Sequence, residues 1–553
     1  MLHTSVIGQK YDFNWIFGYD GGKGDPKFGT TKVDFNSGNP IQTFIPEGRM
    51  IIFDANASIS TEDGRLLYYT NGYDLEDSNY VRINKALDVG TRYWDALICN
   101  QGVLFIPIND DSIDLFYVDK KNVNGTFYIL SIKNIVLSKG QIIKKNVSVI
   151  DTINEGFLTI CRHANGNSWW LILNKLNSNV FYSLFINNEN EIIVDTQVVG
   201  PIIEDGLGQA VFSNNGEYLA LIEGISFNDG LYIYLYKFDR CLGKLYFVSR
   251  KQFPTSGFTG ISFSPNSKFL YYSQEKLLYQ FDMSNTDPLN YPVLIDTITD
   301  QTLPWGSQYD QHQLGPDGRI YITNLYSNFY QHVINKPNES GKACDPRANG
   351  FMLKTLARRG ISNNPNYRLG PIDGSICDSL GIDNMPWAWW RYDQDTLDYL
   401  KFEFTDLSAY EVTQWDWSFG DGASSTEPNP THRYKENGIY NVCLIVRNIN
   451  GVDTLCRQLH VGVSSTTHPD QSITTDVFPN PASDYFIINV LEYIPARMFI
   501  RLYDTDGRIV LEKRLYEGSN GIDVSNINPG IYTLRIQEQQ RQVYSGRMAI
   551  VRE

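Results

Sequence analysis

One unit of sequence recurs along the first 395 residues. Ile59-Ser60-Thr61-Glu62-Asp63-Gly64-Arg65-Leu66-Leu67-Tyr68-Tyr69 is one copy. Val211-Phe212-Ser213-Asn214-Asn215-Gly216-Glu217-Tyr218-Leu219-Ala220 and Ser262-Phe263-Ser264-Pro265-Asn266-Ser267-Lys268-Phe269-Leu270-Tyr271 are two more. Gln313-Leu314-Gly315-Pro316-Asp317-Gly318-Arg319-Ile320-Tyr321 is a fourth. Each is a short apolar strand, a turn of Pro, Asn, Asp or Gly, then a strand of aliphatic and aromatic residues. Less regular copies run from Asp110 to Tyr117 and from Ala164 to Leu171. The turn residues fall at 64, 112, 166, 216, 267 and 318, in steps of 48 to 54 residues. A period near 50 with several strands per unit is the signature of a β-propeller blade. One blade cannot bury both faces of its sheet, so blades stack around an axis. A seventh blade is expected from the N-terminal strands around Trp15-Ile16-Phe17, paired with chain from 350 to 395. Strands from both ends would then close the ring and remove its exposed edge. Seven blades are expected, with six or eight as the alternatives.

The rest of the chain reads as two small β-domains, giving an all-β chain of propeller (1–395), sandwich (396–463), linker (464–474) and tail (475–553). Trp415-Asp416-Trp417-Ser418-Phe419-Gly420-Asp421-Gly422, Pro428-Asn429-Pro430-Thr431-His432-Arg433-Tyr434 and Gly438-Ile439-Tyr440-Asn441-Val442 occur in order after Phe404-Thr405-Asp406. This set resembles the polycystic-kidney-disease (PKD) domain, an immunoglobulin-like sandwich. The resemblance implies an extracellular spacer or a binder of protein or polysaccharide. The tail carries Phe478-Pro479-Asn480-Pro481, a hairpin turn at Asp504-Thr505-Asp506-Gly507, and Asn528-Pro529-Gly530-Ile531-Tyr532 before the last strands. It resembles the C-terminal sorting domain of type IX secretion substrates, with Pro479, Asn480, Pro481, Gly530 and Tyr532 as its motif. The resemblance implies handling by the type IX secretion machinery and a secreted or outer-membrane surface location. Phe17-Gly18, Val33-Asp34-Phe35-Asn36 and Leu278-Tyr279-Gln280-Phe281-Asp282 make the propeller similar to that of large surface proteins from gliding bacteria.

Composition narrows the partners. A net charge of −15 opposes nucleic acid and anionic membrane surfaces. There is no run of 18 apolar residues, so no transmembrane helix is expected. Met1 to Lys10 has no apolar signal-peptide core, and a start upstream is expected. Seven cysteines form no CxxC pair. Cys443 and Cys456 flank the turn Asn448-Ile449-Asn450-Gly451 symmetrically and would face each other across a hairpin, where a disulfide fits. Cys344 and Cys377 are a weaker candidate pair. Cys99, Cys161 and Cys241 read as small apolar residues within strands.

No constellation of residues carries recognisable chemistry. His-Glu-x-x-His, P-loop, Gly-x-Ser-x-Gly and dinucleotide patterns are missing. No cofactor or metal is expected. Ser60 to Gly64 resembles the Asp-box of sialidase propellers without its closing Trp, and reads as a hairpin turn. Asn109-Asp110-Asp111, and Asp416 with Asp421, offer oxygens for calcium but lack its loop spacing. His312 is level with Ala210 and Ile261 in the repeat, an apolar register, and reads as a packed residue. His163 sits at a turn edge and reads as a cap. Arg162, His163 and His312 are the candidate axial ligand residues. Trp387, Trp389 and Trp390 sit where the propeller meets the PKD-like domain, able to stack on sugar rings but better suited to packing the junction. Three functions fit: a non-enzymatic surface protein binding protein or glycan, a propeller enzyme (lyase, lactonase or glycosidase) acting on polysaccharide, or a stalk without a discrete ligand.

Overall fold

A computed structural model describes residues 10–19, 26–45, 48, 50–83, 100–122, 126–139, 141–145, 152–154, 156–204, 208–223, 231–253, 257–299, 306–395, 398–462, 475–478, 480–490, 498–505, 507–515, 518–538 and 541–551. Cys99, Pro479 and the linker 464–474 lie outside them. Among the described residues there is no α-helix, and no helix is long and apolar enough to cross a membrane.

Seven antiparallel sheets follow one another between Asn14 and Ala357, each with its strands in sequence order. The first two sheets have three strands and the other five have four. The recurring turn of the sequence joins the first two strands of a sheet. Gly64, Gly166, Gly216, Ser267 and Gly318 all have positive φ there. Each donates its N–H to the carbonyl three residues back, on Thr61, His163, Ser213, Ser264 and Gly315. At Gly166, with φ +75°, a Cβ would also stand 2.7 Å from Pro371 Cδ. Glycine therefore serves both the left-handed backbone and a close approach.

The set of sheets closes on itself, giving a propeller-like body. Phe13, Trp15, Phe17, Val33 and Phe35 of the first sheet pack with Tyr321, Val333, Leu353 and Ala357 of the seventh. Thr31 and Thr355 join their hydroxyls at 2.7 Å, and Gln42 Nε2 donates to Met352 O at 2.7 Å. Closure differs from the expected shared sheet. The strand Pro346–Ala357 completes the seventh sheet, and the N-terminal strands pair only with each other. From 358 to 386 the chain is rich in Gly, Asn and Pro, which fits it poorly to a strand ladder.

That stretch instead runs along the axis. Ser362 Oγ accepts from Ser58 N at 3.1 Å in the second sheet. Asn363 Nδ2 donates to Val103 O (2.9 Å) in the third sheet and Leu158 O (3.0 Å) beside the fourth. Asn364 O accepts from Gln313 Nε2 of the seventh sheet at 3.0 Å. Tyr367 donates its hydroxyl to Phe105 O at 2.9 Å. Nine residues of chain span at most about 30 Å. Residues 360–368 can meet so many sheets only where their first strands converge.

Two smaller bodies follow. The strands Trp390–Gln394, Lys401–Asp406 and Thr431–Arg433 form one sheet of a sandwich. Ser424–Ser425, Gln414–Ser418, Gly438–Arg447 and Val452–Val461 form the other. Trp390, Phe404, Trp417, Phe419 and Tyr434 fill the space between. Its first strand thus starts ahead of residue 396. The tail is a second sandwich around Phe486, Ile500, Leu502, Leu534 and Met548. Asn480 ties its start to its last strand, donating to Arg547 O at 2.7 Å and accepting from Ala549 N at 2.9 Å. Pro481 is exposed beside it, Gly530 opens the strand Gly530–Glu538, and Tyr532 donates its hydroxyl to Asn528 O at 2.6 Å.

Candidate functional site

Arg162 and His312 both line a small axial cavity of about 90 Å³ beside Gln209, Asn363 and Asn364, and His163 lies outside it. Arg162 ends the first strand of the fourth sheet, its guanidinium 3.9 Å over the Trp169 ring. It donates to Asn167 O (3.1 Å) and Tyr367 O (3.3 Å), and burial pushes its pKa down to about 10. His163 caps its own turn, with Nδ1 accepting from Asn165 N at 2.9 Å. Its Nε2 lies 3.1 Å from Cys241 O, which fixes the neutral tautomer with the proton on Nε2. His312 is 1% exposed, with Nε2 2.7 Å from Ser273 Oγ. Burial pushes its pKa down to about 3, so it stays neutral near neutral pH. A proton-transferring group works best near the operating pH, and His312 is far from it.

The tryptophans pack the junction. Trp390 lies in the sandwich core and donates Nε1 to Leu455 O at 3.2 Å. Trp389 is stacked on Trp387 at 5.2 Å and 7°, with Arg457 3.9 Å and Lys10 4.5 Å from its ring. Those neighbours leave the Trp389 ring no open face for a sugar.

The cysteines include one expected pair and correct two other expectations. Cys443 and Cys456 are joined across the hairpin, with Cα atoms 4.0 Å apart. Cys377 is joined to Cys241, Cα atoms 5.7 Å apart, while Cys344 is free and buried. Cys241 lies in the turn after Asp239 rather than inside a strand. Chain folding decided this, because the axial stretch carries Cys377 back over the fifth sheet, 136 residues from its partner in sequence. Cys161 is buried in its strand and free.

A cleft of about 940 Å³ lies between the propeller-like body and the sandwich. One wall is built from turns of the last three sheets, around Asn214–Glu217, Pro265–Asn266, Gly315–Gly318 and Asn335–Glu339. The floor is the end of the axial stretch, 366–372. The other wall is Glu403–Glu411 with Asn429 and Thr431. Charged and polar contacts hold the walls in place. Arg391 donates to Asp317 O (2.8 Å) and Asn335 O (3.1 Å), Arg319 pairs with Asp393, and Lys336 pairs with Glu403 at 2.7 Å. Among the described residues, no group of three or more His, Cys, Asp or Glu side chains is placed to hold a metal. Sequence reading recognised Asn214, Asn215 and Asn266 as turn residues. The cleft itself arises from three distant stretches meeting, and only the recurrence of Asn at these turns hinted at it.

Residues 393–463 match the PKD domain family, and residues 476–550 match the secretion system C-terminal sorting domain family. The chain is thus an all-β protein with a propeller-like body, a PKD domain and a sorting domain. The sorting domain implies handling by the type IX secretion machinery and makes this a secreted or cell-surface protein. Collagenase ColA of Bacillus cereus is 48% identical over 44 residues, 8% of this chain and only 5% of the collagenase. The PKD1 domain of the Vibrio cholerae metalloprotease PrtV is 27% identical, covering 14% of this chain and 96% of that domain, with a TM-score of 0.13. A protein from Lactobacillus plantarum is 11% identical over 63% of this chain and 98% of its own, with a TM-score of 0.36.

Proposed function

We propose that the protein is a non-enzymatic binding protein of the cell surface or medium, holding a protein or glycan ligand between its propeller and PKD domain. Each sheet of the body counts, on this reading, as one blade of a seven-bladed propeller over residues 1–395. One observation carries the proposal. Residues 360–368 run through the axis and leave a cavity of only about 90 Å³ there, while a cleft of about 940 Å³ stands open beside the PKD domain. A rigid scaffold that gathers loops at one face suits binding. Arg162, His163 and His312 act here as structural residues, and Trp387, Trp389 and Trp390 as junction packing.

The test is to incubate the full chain with arrayed glycans and purified extracellular proteins, and to analyse products in parallel. Saturable binding without new products supports the reading. Release of shortened or unsaturated sugars would replace it with the polysaccharide-enzyme alternative.

A further inference from the structure

The chemistry of the cleft is selective. Its basic side chains are all committed. Lys336 pairs with Glu403 (2.7 Å), Arg368 with Asp12 (2.6 Å) and Arg391 with Asp393. Arg240 donates to the carbonyls of Arg162 (2.9 Å) and Gly370 (2.5 Å). Among the described lining residues, each cation already spends donors on a carboxylate or, for Arg240, on backbone carbonyls. Glu217, Glu339 and Glu411 are exposed at the rim and make no ion pair among the described residues. Their field repels acidic polymers.

What the cleft does offer is a set of neutral donors. Asn215 Oδ1 accepts from Ser213 Oγ (2.7 Å) and Glu217 N (3.2 Å). Asn266 Oδ1 accepts from Ser264 Oγ (2.7 Å) and Lys268 N (3.1 Å), the equivalent turn one repeat later. Asn338 Oδ1 accepts from Asn266 N (3.0 Å), and Asn429 Oδ1 from Asp406 N (2.9 Å). All four side chains spend their oxygen on the fold. Their Nδ2 amides have no protein partner among the described residues. An amide held by its own oxygen is a pre-oriented donor, matched to the hydroxyl and ring oxygens of a sugar. The aromatic side chains of the cleft, Phe238, Phe404 and Tyr410, are at most 8% exposed. The cleft thus offers no open ring to a protein side chain or to a sugar face, and recognition rests on its hydrogen-bond donors.

We infer that this cleft takes an uncharged stretch of oligosaccharide, gripped by the amides of Asn215, Asn266, Asn338 and Asn429. The inference rests on the binding reading above and narrows its ligand. A volume of about 940 Å³ lies at the upper end for small-molecule sites and admits several sugar rings.

The experiment titrates the full chain with two sets of probes. One holds neutral oligosaccharides (gluco-, manno-, xylo- and N-acetylglucosamine oligomers), the other uronate and sulfated oligomers. The double variant Asn266→Asp/Asn338→Asp keeps each acceptor oxygen and so each turn, but replaces two donors by acceptors. The expected result is binding within the neutral set only, weakened about tenfold or more in the variant, since two lost hydrogen bonds are worth about that much. The melting curve of the variant should match the parent. Binding of acidic oligomers alone, of arrayed proteins alone, or neutral binding untouched by the double variant each overturn this inference while leaving the binding reading intact. Turnover of any polysaccharide overturns both.

Discussion

Arg359 is a buried ionic anchor of the axial stretch, and replacing it with Met should destabilise the body sharply. Its Nε lies 2.5 Å from Asp310 Oδ2 and its NH1 2.9 Å from Asp54 Oδ1. NH2 donates to Asn100 Oδ1 at 3.1 Å, and the guanidinium lies 4.2 Å over Phe258. Arg359 is 4% exposed, and the two aspartates at most 1%. Methionine keeps the apolar cover over Phe258 but leaves two buried carboxylates without their cation. Breaking a buried ion set from one side costs about 3–5 kcal/mol. For a body of this size that is roughly 4–7 °C of melting temperature at neutral pH. The cost should depend on pH with a definite sign. Burial pushes Asp310 up to about 6 and raises Asp54, even with Arg359 present. Removing the cation raises both further. A carboxyl whose folded pKa is raised is not penalised below its unfolded pKa of about 4, and loses stability as pH rises through the folded value. The deficit of Arg359→Met should therefore be largest near neutral pH and shrink toward about pH 4.5. The triple variant Asp54→Asn/Arg359→Met/Asp310→Asn should recover most of it. Calorimetry across pH on the full chain checks this, because the PKD and sorting transitions should stay in place. A loss of less than about 2 °C at pH 7, or a deficit that does not change with pH, would refute the reasoning.

Two further outcomes follow from the same interior. His312 is neutral in the fold, with its pKa lowered to about 3, whereas the unfolded chain takes up a proton below about 6.5. Its contribution is present above about pH 6.5 and is lost as pH falls, by about 1.4 kcal/mol per unit. His312→Gln keeps a hydrogen-bonding group beside Ser273 and should flatten the acid side of the melting-temperature profile; an unchanged slope contradicts this. Mass mapping of a non-reduced digest should recover Cys241 linked to Cys377 and Cys443 linked to Cys456, and a Cys344–Cys377 peptide would contradict the fold.

Much of this architecture is local chemistry and was legible for that reason. The turn residues Gly64, Gly166, Gly216, Ser267 and Gly318 announce the repeat because each turn needs a residue tolerant of positive φ. Trp417 and Phe419 announce the PKD core because strand alternation sends both inward. Cys443 and Cys456 are readable because a hairpin places symmetric positions opposite each other. The fate of 358–386 was not legible. Whether an Asn-, Gly- and Pro-rich stretch pairs with a distant strand or fills an axis depends on the shape of the ring around it. Cys377 was misassigned for the same reason, since its partner is chosen by where that stretch emerges. Arg162 and His312 looked like candidate ligand groups by residue type, and only their surroundings tie them to Tyr367 and Ser273. The cleft is a purely tertiary feature, built from turns 214–217, 265–266 and 335–339 and a PKD strand some 70 residues further on.

The most direct measurement follows the protein in a host with type IX secretion. It compares the full chain, expressed from its native locus, with a version ending at residue 462. The account expects the full chain at the cell surface or in the medium and the shortened chain retained inside. Equal cytoplasmic retention of both, or equal export of both, would contradict the assignment of residues 476–550 as the address.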